Sequence, residues 1–387
     1  MGEGKVSIRQ GYSLLILFLI GTTTVMVPGR EANRELWLAV PMAFLMAVPF
    51  ALLFGRLLQL YPDKNLFDMQ RELFGPVLGT VSSVLFIVLG FHLGALVIRN
   101  FTEFIQLVSM VSLPLYYYAV PMGIVSIWCL RAQIGTLRRG TVIVAPIIIT
   151  LLIVNIFSSV NIWETTNLKP FLEDGIWPVV REATGIWAFP FLETVLLTFA
   201  LKPLSYPKMG PRMLLVSFGF VAILLTLSNF RNIMTLGHEQ MNKYYFPSYQ
   251  VVSLVNVADF LQGIQVLIIV LFLVGGFAKI SSCLYVATLG LAKLTGQHYK
   301  SLVAPVGILM TVFSLFVVDD LVDMFDFAAV YYKYYIIPVG VVLPLLLWVV
   351  AEVKTRKQAK LQVTKEVQQG QPAAPTKPLP TENGQES

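Results

Sequence analysis

Glu193 stands three residues after Pro190 in Trp187-Ala-Phe-Pro-Phe-Leu-Glu193-Thr-Val-Leu-Leu, inside a long apolar stretch where lipid would surround an ordinary helix. A charged side chain at membrane depth costs about 2.5 to 3.5 kcal/mol on insertion scales, so it faces a cavity, a partner or a pathway. Pro190 removes a helix hydrogen bond and disturbs the turn before it. The two residues together predict a broken helix with an acid at the break. Lys279, in Leu273-Val-Gly-Gly-Phe-Ala-Lys279-Ile-Ser-Ser-Cys, is the lysine lying deepest in an apolar stretch. A buried ammonium needs a partner or a depressed pKa. Either it pairs with Glu193, or its four-carbon stem snorkels toward the cytoplasm. Gly275 and Gly276 would admit another helix closely, and Ser281 and Ser282 set hydroxyls beside the lysine.

Three further groups carry chemistry. Gly21-Thr22-Thr23-Thr24, followed by Val-Met-Val-Pro28-Gly29, makes poor helix, and an unwound segment there would offer free backbone groups to a ligand. Arg99 and Glu103 are four apart and share a helix face. They either neutralise each other or line an outer vestibule. His92, further along the same stretch, either hydrogen-bonds between helices or titrates. Enzyme signatures are missing: no Gly-rich phosphate cradle, metal-ligand spacing or nucleophile elbow occurs, and His92, His238 and His298 are scattered. No catalytic residue, metal or cofactor is expected. Cys129 and Cys283 fall in apolar stretches and read as core packing.

The elements that must position these residues follow from composition. The 387 residues are 56% hydrophobic and only 13% charged, with a mean hydropathy of +0.73, which defines an all-α integral membrane protein. About 20 apolar residues make one span, and ten stretches qualify: 11–28, 36–60, 77–110, 114–130, 141–158, 183–201, 211–236, 260–293, 302–318 and 335–353. The short alternating strands of a membrane barrel are absent from the pattern. Basic residues gather on one side, among them Arg56, Arg71, Arg131, Arg138, Arg139, Lys202, Lys293 and the cluster from Lys354 to Lys365. By the positive-inside rule that side is cytoplasmic, which puts both termini inside and explains the net charge of +6 without a nucleic-acid partner. Residues 1–10 form a cytoplasmic N-terminus, 11–353 one membrane domain, and 354–387 a tail that is basic, then Gln- and Pro-rich and disordered. Residues 65–74 read as an interfacial amphipathic helix ended by Gly75-Pro76. The external segments 160–182 and 237–259 are expected to form short helices over the outer face.

Five spans precede the sixth, so irregularities in the first and sixth spans occupy corresponding places in two halves of opposite orientation. That arrangement points to the binding site of a secondary transporter. The motifs Ile20-Gly-Thr-Thr-Thr-Val-Met-Val-Pro28, Leu60-Tyr-Pro-Asp-Lys-Asn-Leu66, Leu73-Phe-Gly-Pro-Val-Leu-Gly79, Ile98-Arg99-Asn-Phe-Thr-Glu103, Ala188-Phe-Pro-Phe-Leu-Glu193 and Phe277-Ala-Lys279-Ile, in that order, resemble the spore germination permeases. These are the B subunits of endospore nutrient germinant receptors, in the amino acid, polyamine and organocation transporter superfamily. The resemblance covers about residues 7–353. It departs at Ala132-Gln-Ile-Gly-Thr-Leu-Arg138-Arg139, where the family usually keeps an acidic residue.

What the resemblance implies is a LeuT-like five-plus-five inverted repeat with broken first and sixth helices. It also implies a receptor subunit in the spore inner membrane, working with a larger A subunit and a lipoprotein C subunit. A small nutrient, such as an amino acid, would contact Gly21, Thr22, Thr23, Thr24, Phe189, Phe191, Glu193, Lys279 and Ser282, with Arg99 and Glu103 at a gate or vestibule. The alternatives are an H⁺- or Na⁺-coupled amino acid or cation permease and a scaffold for the A subunit.

Overall fold

The computed structural model describes residues 4–23, 32–109, 113–255 and 265–368. Helix α1 spans Ile8–Thr23, α2 Leu36–Leu60, α3 Leu66–Ser109, α4 Tyr116–Arg131 and α5 Ile134–Phe157. The sixth span is assembled from α6 (Trp177–Ile186), a π turn over Trp187–Phe191, a 3-10 turn over Leu192–Val195 and α7 (Leu197–Ala200). Helices α8 (Gly210–Met241), α9 (Pro247–Leu254), α10 (Gln265–Thr295) and α11 (Tyr299–Ser314) follow. The last span runs through α12 (Leu321–Asp326), α13 (Tyr332–Ile337) and α14 (Leu343–Gln368). Among the described residues seven helical stretches are long and apolar enough to cross a membrane, with α1 and α11 as shorter apolar helices. Together with the 16-residue α4 they stand where the ten expected spans lie. Val77, Trp128 and Ile143 are more than two-thirds exposed on outward helix faces, as a chain solvated by acyl tails requires.

Packing centres on α1, which lies against α10, α5 and α8, while α2 runs along α8 and α10 along α3. Gly21 and Gly275 set a close crossing of α1 and α10: a Cβ on Gly21 would come within 2.5 Å of the Gly275 carbonyl oxygen. Small residues allow such backbone approach between membrane helices. The structure corrects the expectation of an unwound Gly21 to Thr23 here. These residues are helical, and Thr23 donates its hydroxyl to the Leu19 carbonyl at 2.6 Å. The glycine is there for contact with α10, which a helix satisfies best. Thr24 and the following Pro28-Gly29 lie outside the described residues.

The amphipathic helix ends as expected. Gly75, at φ +78°, kinks α3 between its interfacial and spanning parts, a backbone region open chiefly to glycine. The last span differs from expectation, beginning at Leu321 instead of Tyr335. Asp320 caps its N-terminus through a hydrogen bond from the Asp323 N–H, and acids suit that helix end. The same four aspartates, Asp319, Asp320, Asp323 and Asp326, make the segment look like a loop in sequence. At the other end the basic stretch continues α14 to Gln368; the Pro-rich remainder of the tail lies outside the described residues.

Four buried cations hold helix C-termini, where terminal carbonyls lack intrahelical partners and the dipole favours positive charge. Arg99 donates to the Leu315 and Asp319 carbonyls beyond α11, both at 2.9 Å. Arg138 reaches the Ala200 and Lys202 carbonyls at the end of α7. Arg231 donates to the Asn155 carbonyl and side-chain oxygen near the end of α5. Lys202 donates to the Leu57 and Tyr61 carbonyls at the end of α2. On the same face the Val6 and Ser205 N–H groups donate to the Pro203 and Val6 carbonyls, which ties the N-terminal segment to the foot of the sixth span.

Candidate functional site

Phe189 leaves helical geometry, at φ −126° and ψ 107°, so the sixth span breaks one residue before Pro190. The turn that follows points the Glu193 side chain inward, fully buried. Lys279, from α10, meets it: Nζ lies 2.5 Å from Glu193 Oε2, and both side chains have no solvent exposure. Tyr332 of α13 donates its hydroxyl to the other carboxylate oxygen, Oε1. The ammonium also donates to Thr22 Oγ1 at 3.1 Å. It lies over the ring of Phe189 at 4.3 Å and that of Phe18 at 5.2 Å, an arrangement that compensates a desolvated cation. Of the two sequence alternatives for Lys279, the structure has the ion pair and no snorkelling.

Beside this pair is a cavity of about 40 Å³ whose lining includes Thr22, Asn100, Phe189, Met324, Phe327 and Tyr332. That is space for about three waters at a generous count. Residues from the first, third, sixth and last spans thus enclose one small, mostly apolar volume, and three of its lining residues, Thr22, Phe189 and Tyr332, are the ones that touch the ion pair behind it.

The predicted residues divide. Thr22, Phe189, Glu193 and Lys279 come together. Gly21 serves the helix crossing. Phe191 points away and packs on Phe218, ring centroids 5.2 Å apart, because the turn after Phe189 rotates it toward α8. Ser282 returns its hydroxyl to the Ala278 carbonyl of its own helix, whereas Ser281 keeps a buried hydroxyl with no hydrogen-bond partner among the described residues. Arg99 and Glu103 pair at 2.8 Å with side-chain exposures of 3% and 12%, so they form a closed clamp and not an open vestibule wall. His92 packs among Phe313, Phe327 and Tyr335, and its buried Nδ1 has no hydrogen-bond partner among the described residues. Sequence reasoning missed Tyr332, Phe18 and Asn100. Phe18, four residues before Thr22, was available from helical spacing. Tyr332 was hidden by the aspartates that precede it.

A multi-pass helical bundle with a broken sixth span at its centre has the architecture of a transporter fold. Solved structures share that fold, among them the following two. A crystal structure of MhsT in complex with L-phenylalanine aligns over 90% of this chain and 99% of its own, with a TM-score of 0.64 at 14% identity. Mhp1, a nucleobase-cation-symport-1 family transporter in a closed conformation with bromovinylhydantoin bound, aligns over 84% of this chain and 74% of its own, at a TM-score of 0.55 and 12% identity. The fold is LeuT-like. Residues 5–320 match the sequence profile of the spore germination protein family, and the chain belongs to that family. Spore germination protein KB of Bacillus subtilis is 25% identical over 370 residues, covering 93% of this chain and 98% of the relative. The putative spore germination protein YfkT of the same organism is 23% identical over 334 residues, 86% of this chain and 91% of the relative.

Proposed function

We propose that this chain is the membrane subunit of a nutrient germinant receptor, sensing a small zwitterion such as an amino acid at the Glu193–Lys279 pair and triggering germination. The observation that carries this reading is the pair itself, a buried carboxylate 2.5 Å from a buried ammonium. Its two charges match the ammonium and carboxylate of an amino acid. The 40 Å³ cavity is too small for such a ligand, so binding requires Phe189, Phe327 and Tyr332 to move and the bundle to change state. A ligand drives that change only through different affinities for the two states. The contact set is Thr22, Phe189, Glu193 and Lys279 out of those expected from sequence, with Tyr332 added and the Arg99–Glu103 clamp gating the outer ends of α3 and α11, while Gly21, Phe191 and Ser282 serve packing. The subunit would act with A and C subunits in the spore inner membrane, both termini in the cytoplasm, with the membrane domain over 11–353 and cytoplasmic segments 1–10 and 354–387.

The second reading is a coupled permease, favoured by the likeness to solute-bound transporters. Within it, the Lys279 ammonium already occupies the Glu193 carboxylate, so coupling to H⁺ or Na⁺ requires the pair to separate. Two measurements separate the readings. Binding of labelled amino acids to the purified chain, abolished by Glu193→Gln and Thr22→Val with no counterflow into proteoliposomes, is the receptor outcome. Saturable counterflow lost in Glu193→Gln is the permease outcome. Spores lacking this chain should fail to answer one class of nutrient; an unchanged response to every nutrient of a panel would rule out the receptor reading.

A further inference from the structure

Two grooves meet on one outward face of the bundle, and neither is lined by Glu193 or Lys279. The first, about 280 Å³, lies between α4, α5, α10 and α1, lined among others by Leu17, Val125, Trp128, Thr136, Gly140 and Phe277. The second, about 480 Å³, continues toward the opposite side along Ile105, Tyr117 and Pro121, sharing Val125, Val274 and Phe277 with the first. From Val125 to Ala132 along α4, and from Val144 back to Thr136 along α5, the first groove extends about 10 to 12 Å at 1.5 Å per residue. One leaflet of hydrocarbon is about 15 Å deep. The groove therefore has the depth of a single acyl chain, and its open side faces the depth at which such chains are the solvent.

Its basic end supplies what an acyl chain alone would not need. Arg131 closes α4 one residue before groove-lining Ala132, and Arg139 precedes groove-lining Gly140. Both are exposed, unlike the neighbouring Arg138, which is committed to the α7 carbonyls. Among the described residues neither Arg131 nor Arg139 joins an ion pair. Arg139 Nη1 lies 3.5 Å from where a Gly135 Cβ would be, so its guanidinium folds back along the helix on the Arg131 side. Basic pockets between spans on the cytoplasmic side bind anionic headgroups.

We infer that this face is a binding site for an anionic phospholipid, its acyl chain in the groove between α4, α5 and α10 and its phosphate between Arg131 and Arg139. At about 1 kcal/mol per cation near the surface, two arginines predict a preference for an anionic over a zwitterionic headgroup of roughly tenfold or more.

Native mass spectrometry of the full chain in detergent, titrated with palmitoyl-oleoyl phosphatidylglycerol or the phosphatidylcholine with the same chains, tests this. The expected result is a tenfold tighter phosphatidylglycerol adduct. It should be lost in Arg131→Gln/Arg139→Gln, kept in Arg131→Lys/Arg139→Lys, and weakened for both lipids in Gly140→Leu, which fills the groove. Inorganic phosphate should not compete. Equal adducts with both lipids, retention in the Gln pair, or displacement by inorganic phosphate would each overturn the proposal. So would a groove that takes neither lipid, which would leave it to a helix of a partner subunit. Binding is read without reference to germination or orientation, so its failure is separate from failure of the receptor reading.

Discussion

Glu193 and Lys279 form one buried ionic group. Desolvation of each is offset by the other, with Tyr332, Thr22 and two aromatic faces taking the remaining valences. Removing one partner of a buried pair leaves an uncompensated charge and costs about 3 to 5 kcal/mol, whereas replacing both with apolar or neutral groups is often nearly neutral. Thermal unfolding in detergent should therefore show Glu193→Gln and Lys279→Met each strongly destabilised, with the double variant recovering most of the loss. Additive losses would mean that the two act separately. Tyr332→Phe should lose about 1.5 to 3 kcal/mol, the range for a hydrogen bond to a charged group, with the fold intact. The sequence identified both charges and left their pairing open, since an acid near 193 and a base near 279 are related only through the fold. Tyr332 could not be found, because its role depends on a segment that four aspartates disguise as loop.

At the level of elements, the α1–α10 crossing decides whether Lys279 reaches Thr22. Gly21→Val would drive Cβ into the Gly275 carbonyl, 2.5 Å away, spreading the helices and separating Lys279 Nζ from Thr22 Oγ1. Loss of ligand binding together with a lowered unfolding midpoint is expected; wild-type behaviour in both would show that the helices tolerate wider spacing. The Arg99 clamp makes a second test. Arg99→Gln leaves Glu103 unpaired and two carbonyls unsatisfied, so amide exchange at the α11–α12 junction should rise while the midplane stays protected. Spacing of four put Arg99 and Glu103 on one helix face and left a mutual pair and a vestibule lining as alternatives; the structure has the pair. The spacing gave no indication of the carbonyls at 315 and 319, because a helix end is a partner that only tertiary structure brings near.

For the whole molecule, Lys202 links the ends of α2 and the sixth span, two residues beyond the last residue of that span. Burial pushes its pKa down from 10.5 to about 7, with Asp63 and Asp68 opposing the fall. Between about pH 7 and 10.5 the unfolded chain holds a proton that the folded chain lacks, so stability rises with pH across that window and this slope disappears below 7. The slope is at most about 1.4 kcal/mol per pH unit for one site. Lys202→Met should flatten unfolding profiles between pH 7 and 9; an unchanged slope would assign it to other groups. Orientation has its own measurement. Cys129 is half-buried and Cys283 buried, so background labelling is low, and cysteines placed at Lys5 and Lys357 should resist an impermeant thiol reagent in sealed cells while one at Glu173 reacts.

Apolar stretches of span length, the sided basic residues, the break at Pro190 and the isolated charges were all determined by the sequence, because lipid enforces local rules: each span must satisfy its own backbone and each charge needs a reason. Only the tertiary structure decided which charges meet, that Gly21 is a crossing and not a break, that Phe191 faces α8 and that Tyr332 reaches the site. Those outcomes depend on rotation and approach of helices far apart in the chain, and hydropathy along a segment carries no record of either.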